Sequence, residues 1–404
     1  MSRKFVSLFL LLLLVVNLTA CAGKREMDEL GIVGLTAIDW DPKRQKYEIM
    51  VQVIVPTRGG GGMGGSGDIQ IWNATATGNT LMRASKNLRS RVSKKLVWFH
   101  SRLIIIGKRA ATKGLKDIID FFARNKEIRY NSWILITEYP VKETLESNPR
   151  FEGSLPAEIQ GLIENNQTDW AESYAINLKD MLIRLADDDF DEVTGKLTNH
   201  RPQLAPEGTY EQLDLVKNVP IDLRDVVALS GMAVLKDGKF KGWLDRVESK
   251  GYLFIVDEIE GGAIAEYVKG KEKFSAEVLS NKSKLKPEFK NGKLSFKLEV
   301  KTDVTITEAI TELDLTKSED IKLLQKDLAK QIKKNIEITL KTAQHKYNAD
   351  IFGYGNAIYR SYPDKWKEIK DDWDKIFPTV VTDIKVEVTI KRLGMISQPI
   401  TKPQ

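Results

Sequence analysis

The first twenty-one residues constrain this chain most: an apolar run ends in Leu18-Thr19-Ala20-Cys21, and Cys21 is the only cysteine among 404 residues. With a single thiol no disulfide can close within the chain, so each domain must rest on its own buried core. Arg3 and Lys4 precede Phe5 to Leu18, a stretch that is apolar apart from Ser7 and Asn17. This is a charged n-region followed by an h-region of secretory length. It is too short to span a membrane, which takes about 20 apolar residues to cross roughly 30 Å of hydrocarbon. Leu18-Thr19-Ala20-Cys21 has the form of a bacterial lipobox, in which the cysteine sulfur receives a diacylglyceryl group and cleavage leaves Cys21 at the N-terminus. The expectation is a signal peptide over residues 1–20 and a lipidated tether over 21–30, anchored to a membrane through Cys21 without spanning it. Ala20-Cys21-Ala22 also fits an ordinary small-x-small cleavage site, so release into solution is the alternative.

Removing residues 1–20, which hold two basic and no acidic side chains, leaves a net charge of +6 − 2 = +4. A remainder of this length suggests two or three domains, and 42% hydrophobic with 29% charged residues is the composition of a globular chain. The charge is uneven: residues 80–130 carry fourteen Lys or Arg against three Asp or Glu, and residues 157–192 carry two against ten. Such polarity points to solvated faces or domain contacts. Nucleic acid is not an expected partner of an exported lipoprotein.

Three domains are expected, at 31–140, 141–260 and 261–398, each a β-sheet flanked by helices, giving mixed α/β and α+β classes. In the first, Gly31 to Trp40 and Tyr47 to Val55 read as strands turned by Asp41-Pro42-Lys43. The glycine tract 59–67 reads as a loop before a strand at Asp68 to Ala76. Leu81, Ala84, Leu88 and Val92 mark an amphipathic helix. The strand Leu103 to Gly107, a helix with Leu115, Ile118, Ile119 and Phe122, and the strand Asn131 to Thr137 follow in the order of a parallel crossover. The middle domain begins with short helices near 157–165 and 178–185. The acidic run Asp187 to Glu192 reads as a solvated helix end and 194–220 as an irregular connection. A hairpin at Val226 to Leu235 and Phe240 to Trp243 turns on Asp237-Gly238. In the third domain Lys290 to Lys293 turns a longer hairpin. Thr316 to Glu319 reads as a capping box for a helix over 317–345, striped by Leu324, Leu328, Ile332 and Ile336 and expected to cross an antiparallel sheet. Pro363 opens a helix with Trp366, Ile369, Trp373 and Phe377 on one side, and Thr379 to Lys391 alternates as a final strand.

Catalytic and ligand motifs are weak. The three histidines, His100, His200 and His345, form no H-E-x-x-H arrangement and read as structural hydrogen-bonding residues. Asp187, Asp189 and Asp191 imitate the start of a calcium loop, but Glu192 and Thr198 stand where it needs Gly and Glu. The glycine tract lacks the Gly-Lys-Ser/Thr of a phosphate loop, and no G-x-S-x-G elbow occurs. The expectation is a protein that is not an enzyme, with no cofactor, metal or catalytic residue to assign.

One longer pattern goes further. Asp350-Ile351-Phe352-Gly353-Tyr354-Gly355-Asn356, then Tyr362-Pro363-Asp364-Lys365-Trp366, Trp373 to Phe377 and the strand Val386 to Gly394 resemble the C-terminal signature of the Ger(x)C family of spore germination receptor C-subunit lipoproteins. Gly78, Thr80, Ala84 and Leu88, then His100, Ile104 to Gly107 and Arg124, resemble its N-terminal domain, and Gly231 to Val234 with Gly242 to Leu244 its central strand pair. Ala22-Gly23 departs from the Trp-Asp that members often carry after the cysteine. The resemblance implies a lipid-anchored C subunit at the outer face of the inner spore membrane. It also implies integral-membrane A and B subunits as partners in a nutrient germinant receptor that triggers germination. Cys21 is the one residue whose role the resemblance carries over. Two alternatives are an extracytoplasmic solute-binding lipoprotein that holds the nutrient itself and a cell-envelope hydrolase.

Overall fold

The computed structural model describes residues 29–55, 70–147, 149, 151–186, 191–198, 227–261, 264–269, 272–290, 292–311 and 313–394. Cys21, residues 22–28 of the expected tether, the glycine tract, His200, Asp187 and Asp189 lie outside the described residues, and the tether's last residue, Leu30, is the first of a strand. The described strands form two sheets.

The first sheet has ten strands, and its chain order explains its burial. β1 (Leu30–Asp41) and β2 (Lys46–Val55) form the expected hairpin, with Trp40 paired to Tyr47, and β3 (Gln70–Gly78) adds antiparallel to β2. Helix α1 (Leu81–Arg89) runs back along them, capped by the Thr80 side chain, which accepts from Arg83 N–H. β4 (Lys95–Val97) and β5 (Leu103–Gly107) both pair parallel to β1. α2 (Lys108–Lys113) and α3 (Lys116–Ala123) then cross over to β6 (Trp133–Thr137), parallel to β5. β1 and β5 are covered on both faces, which is why they are continuous apolar runs and do not alternate.

The sheet continues past the boundary expected near Pro140. After α4 (Val141–Leu145), α5 (Leu155–Asn165) and a π-helical turn (Asn166–Trp170), the two-residue β7 (Ile176–Asn177) touches β6. α6 (Leu178–Ala186) leads to β8 (Glu192–Thr198), which pairs parallel to β6. β9 (Ala228–Lys236) and β10 (Lys239–Leu244) complete the order β10-β9-β8-β6-β5-β1-β2-β3. The turn between them has Asp237 at φ 54° and Gly238 at φ 71°, the paired positive values of a type I′ turn. Two expectations fail at β8. Glu192 is not on a solvated helix end but 1% exposed at the head of a strand, and Thr194 to Thr198 are strand and not irregular connection. Both readings followed local polarity; insertion between β6 and β9 overrode it.

α1, α2, α3 and α6 cover one face of this sheet around Ile38, Ile104, Ile106 and Ile134, and α4 and α5 cover the other around Leu35, Ile105 and Leu135. A third core holds Met232 and Val234 of β9 against the C-terminal unit. That unit begins with α7 (Arg246–Val256), whose capping box is Asp245 with Glu248. The second sheet has the order β11 (Ile264–Lys269), β12 (Glu272–Lys290), β13 (Lys293–Ile310), β14 (Val381–Arg392). β11 to β13 are antiparallel as expected, whereas β14 pairs parallel to β13 because the chain between them crosses the sheet through helices.

The first of those helices is α8 (Ser318–Lys341), which buries Leu324, Leu328, Ile332 and Ile336. Its N-cap is Lys317 and no capping box forms, since the Thr316 hydroxyl donates to Asp314 Oδ1 and is held in a local turn. α7 and α8 approach closely at Gly251, where a Cβ would lie 2.6 Å from the Asn335 carbonyl oxygen. A π-helical turn (Thr342–Tyr347), α9 (Tyr354–Ser361), α10 (Pro363–Ile369) and α11 (Trp373–Ile376) finish the crossover. Mixed α/β content, with sheets flanked by helices, is the class expected.

Candidate functional site

No described histidine sits in a catalytic setting. His100 and His345 are exposed, His100 lying 4.8 Å from the Phe99 ring, and neither plays the hydrogen-bonding part expected of it. Among the described residues no group of three His, Cys, Asp or Glu side chains could hold a metal ion. Two other places concentrate polar chemistry: a groove on the first sheet and a seam between the first sheet and the C-terminal unit.

The groove, of about 680 Å³, lies where α1 and α3 splay apart. Trp40 and Tyr47 meet edge to face at 4.9 Å as cross-strand neighbours, and Trp98 and Phe121 also line the groove. Lys113 reaches in from the end of α2, 4.7 Å from the Trp40 ring and 4.6 Å from the Tyr47 ring, and donates to Tyr47 Oη at 2.6 Å. Tyr47 in turn donates to Asp117 Oδ2 at 3.2 Å. An aromatic floor beside paired opposite charges suits a small polar ligand with a flat or ring-shaped apolar face. The Trp40–Tyr47 pairing was implicit in the turn at Asp41-Pro42. Lys113 was invisible, because its place depends on how α2 packs.

At the seam, the Asp350–Asn356 segment acts as a clasp. Asp350, 3% exposed, accepts from Tyr354 N–H at 2.9 Å, Gly355 N–H at 2.7 Å and Trp373 Nε1 at 3.2 Å. Gly353, at φ 76°, turns the chain so that those amides converge on one carboxylate. The Asp350 amide donates to Asp191 Oδ2 at 2.8 Å, and Asp191 Oδ1 accepts from Asp237 N–H at 3.3 Å. Lys236 donates to Asp374 Oδ1 at 2.6 Å and to the Asn348 carbonyl at 2.5 Å. The clasp therefore ties the β8 entry and the β9–β10 turn to the C-terminal helices. Burial pushes Asp350 up to about 6 and Asp191 up to about 7. Burial, with Asp191 next to it, pushes Glu192 up to about 8.

A second carboxylate at the seam behaves in the opposite way. Glu172, 1% exposed, takes Arg246 Nε at 2.5 Å, Arg246 Nη2 at 2.8 Å and Lys250 Nζ at 3.1 Å. Burial alone would raise its pKa, but the two cations outweigh it and hold it below the usual glutamate range. Nothing in the local sequence singles out Glu172. The i, i+4 spacing of Arg246 and Lys250, which puts both on one face of α7, is the only trace.

Comparison with known proteins gives the same picture in both halves. Residues 23–197 match the family described as "Spore germination protein N-terminal domain", and residues 230–394 match "Spore germination B3/ GerAC like, C-terminal". Spore germination protein KC of Bacillus subtilis (strain 168) is 27% identical, covering 99% of this chain and 98% of its own. Spore germination protein GerQC of Bacillus cereus is 22% identical over 96% and 98%. The crystal structure of the GerBC protein has the same fold, with a TM-score of 0.56 over 88% of this chain and 96% of that one at 16% identity.

Proposed function

Because the chain belongs to the GerAC-like family of spore germination proteins across both of its halves, we propose that it is the lipid-anchored C subunit of a nutrient germinant receptor. In this reading Cys21 carries the lipid at the outer face of the inner spore membrane, and integral-membrane A and B subunits are the partners. The family match over residues 23–197 and 230–394 carries the reading. One fact is compatible with a lipid anchor: no described helix is long and apolar enough to cross a membrane. Crosslinking of the membrane-bound protein in spores, followed by identification of its neighbours, should recover two polytopic subunits. Recovery of soluble envelope proteins alone would overturn the assignment. Cys21→Ala should abolish the lipid mass and most of the germination response.

The groove favours a second role on the same chain, that it binds a nutrient itself. Saturable quenching of tryptophan fluorescence by an amino acid or sugar, lost in Trp40→Ala, is the result expected of it. A flat titration in the wild-type protein would leave the scaffold role alone.

A further inference from the structure

The two edges of the first sheet's parallel strands differ in charge. At the edge where β1, β5 and β6 end, four cations have acidic partners: Arg109 contacts Asp39 at 2.5 Å, Lys113 Asp117 at 3.7 Å, and Lys108 and Lys196 both Glu138. At the edge where the same strands begin, Lys95, Arg102, Lys126 and Arg129 are exposed and make no ion pair among the described residues. Segments 29–30, 91–102 and 124–132 build this edge, and their only acids are Glu29 and Glu127. Phe99 and Tyr130 stand on it 41% and 54% exposed.

This is also the edge at which the N-terminal chain arrives. Leu30 opens β1 directly beside Lys95. Only residues 22–28 separate Cys21 from the first described residue, Glu29. Nine residue steps from Cys21 to Leu30 span at most ~30 Å at ~3.4 Å each. A lipid at Cys21 would thus hold a cationic, aromatic-bearing edge next to a bilayer. Cations attract an anionic leaflet only within a Debye length, about 8 Å at physiological salt, and aromatic rings settle at headgroup depth.

We propose that this edge is a membrane-docking surface for anionic phospholipid headgroups, and that it orients the protein on the bilayer to which Cys21 tethers it. The proposal rests on the lipid-anchor reading for its geometry, but its chemistry is testable without the lipid. Each surface cation contributes about a fivefold gain in affinity for an anionic membrane. The open charges and the two aromatics act together at one edge, whereas the lipid alone would leave the molecule free to swivel on its tether.

The test uses the chain from residue 22 onward, which keeps every described element and has no cysteine to lipidate. It is sedimented with vesicles of phosphatidylcholine, with or without 30% phosphatidylglycerol. Binding to the anionic vesicles, weakened at least tenfold by raising salt or omitting phosphatidylglycerol, is expected. Exchanging Lys95, Arg102, Lys126 and Arg129 for Gln should reduce it more than a hundredfold. The same exchange at Lys322, Lys326, Lys334 and Lys341, exposed on α8, should change it less than threefold. No binding to anionic vesicles, equal binding to neutral ones, or equal losses from both quadruple variants would overturn the proposal. So would a variant that binds vesicles normally but no longer crosslinks to polytopic subunits, because the edge would then belong to a protein partner. Mass analysis of Cys21 in spores separately tests the anchor, so failure of one claim is distinguishable from failure of the other.

Discussion

Glu172 and Asp350 sit at the same seam, are almost equally hidden from water, and are stabilised by different means. Glu172 is matched by two full positive charges, which outweigh the cost of burial and keep it ionised. Asp350 is held by N–H donors, which lower its pKa less than burial raises it, so the carboxyl is pushed toward neutrality. Near pH 7, then, one cluster is a locked ion pair and the other lies close to a protonation boundary, with Asp191 and Glu192 beside it at about 7 and 8. A buried carboxylate is a fixed joint when paired and a pH-responsive one when it is merely hydrogen-bonded.

The largest change to this contrast should come from Trp373→Ala. It empties an aromatic site packed against Trp366 and Phe377 and removes the Asp350 donor, costing about 3–5 kcal/mol in chemical denaturation. Trp373→Phe keeps most of the volume and separates the hydrogen bond, at ~1 kcal/mol. Next should come Glu172→Ala, which strands Arg246 and Lys250. Both cations are partly exposed and regain water, so the loss should fall near 2–3 kcal/mol, below the ~3–5 kcal/mol of a fully buried pair. An effect under ~0.5 kcal/mol would show that the seam does not depend on this cluster.

pH separates the two clusters more finely. Between the ordinary carboxylate range and pH 6–8, the folded chain keeps protons on Asp350, Asp191 and Glu192 that the unfolded chain has released. Stability should therefore fall as pH rises from the ordinary carboxylate range to about 8. Glu172 has a lowered value and acts with the opposite sign, losing its contribution only as pH falls below the ordinary glutamate range. Melting midpoints should be higher at pH 5 than at pH 8, and Asp191→Asn should flatten that slope. The smallest effect should come from breaking the exposed Lys375–Asp372 pair, which water and salt screen, so the melting midpoint should not move measurably.

What could be read in the sequence follows one physical division. Turns at Asp237-Gly238 and Lys290–Lys293, the stripe of α8, Pro363 at a helix start and the apolar run 103–107 depend on interactions within a few residues. Sequence alone determined them. The Asp350–Asn356 part of the Ger(x)C signature was legible for a related reason, being a contiguous run in which Gly353, Tyr354 and Gly355 fold back on Asp350. What Asp350 clasps was not legible, since Asp191 lies 159 positions earlier. The same holds for the burial of Glu192, the arrival of β8 beside β6, the parallel placement of β14, and the collection of open cations on one sheet edge. Each depends on which distant segment fills the neighbouring space, and burial and strand pairing there outweigh local preference. Tertiary structure alone decided those features.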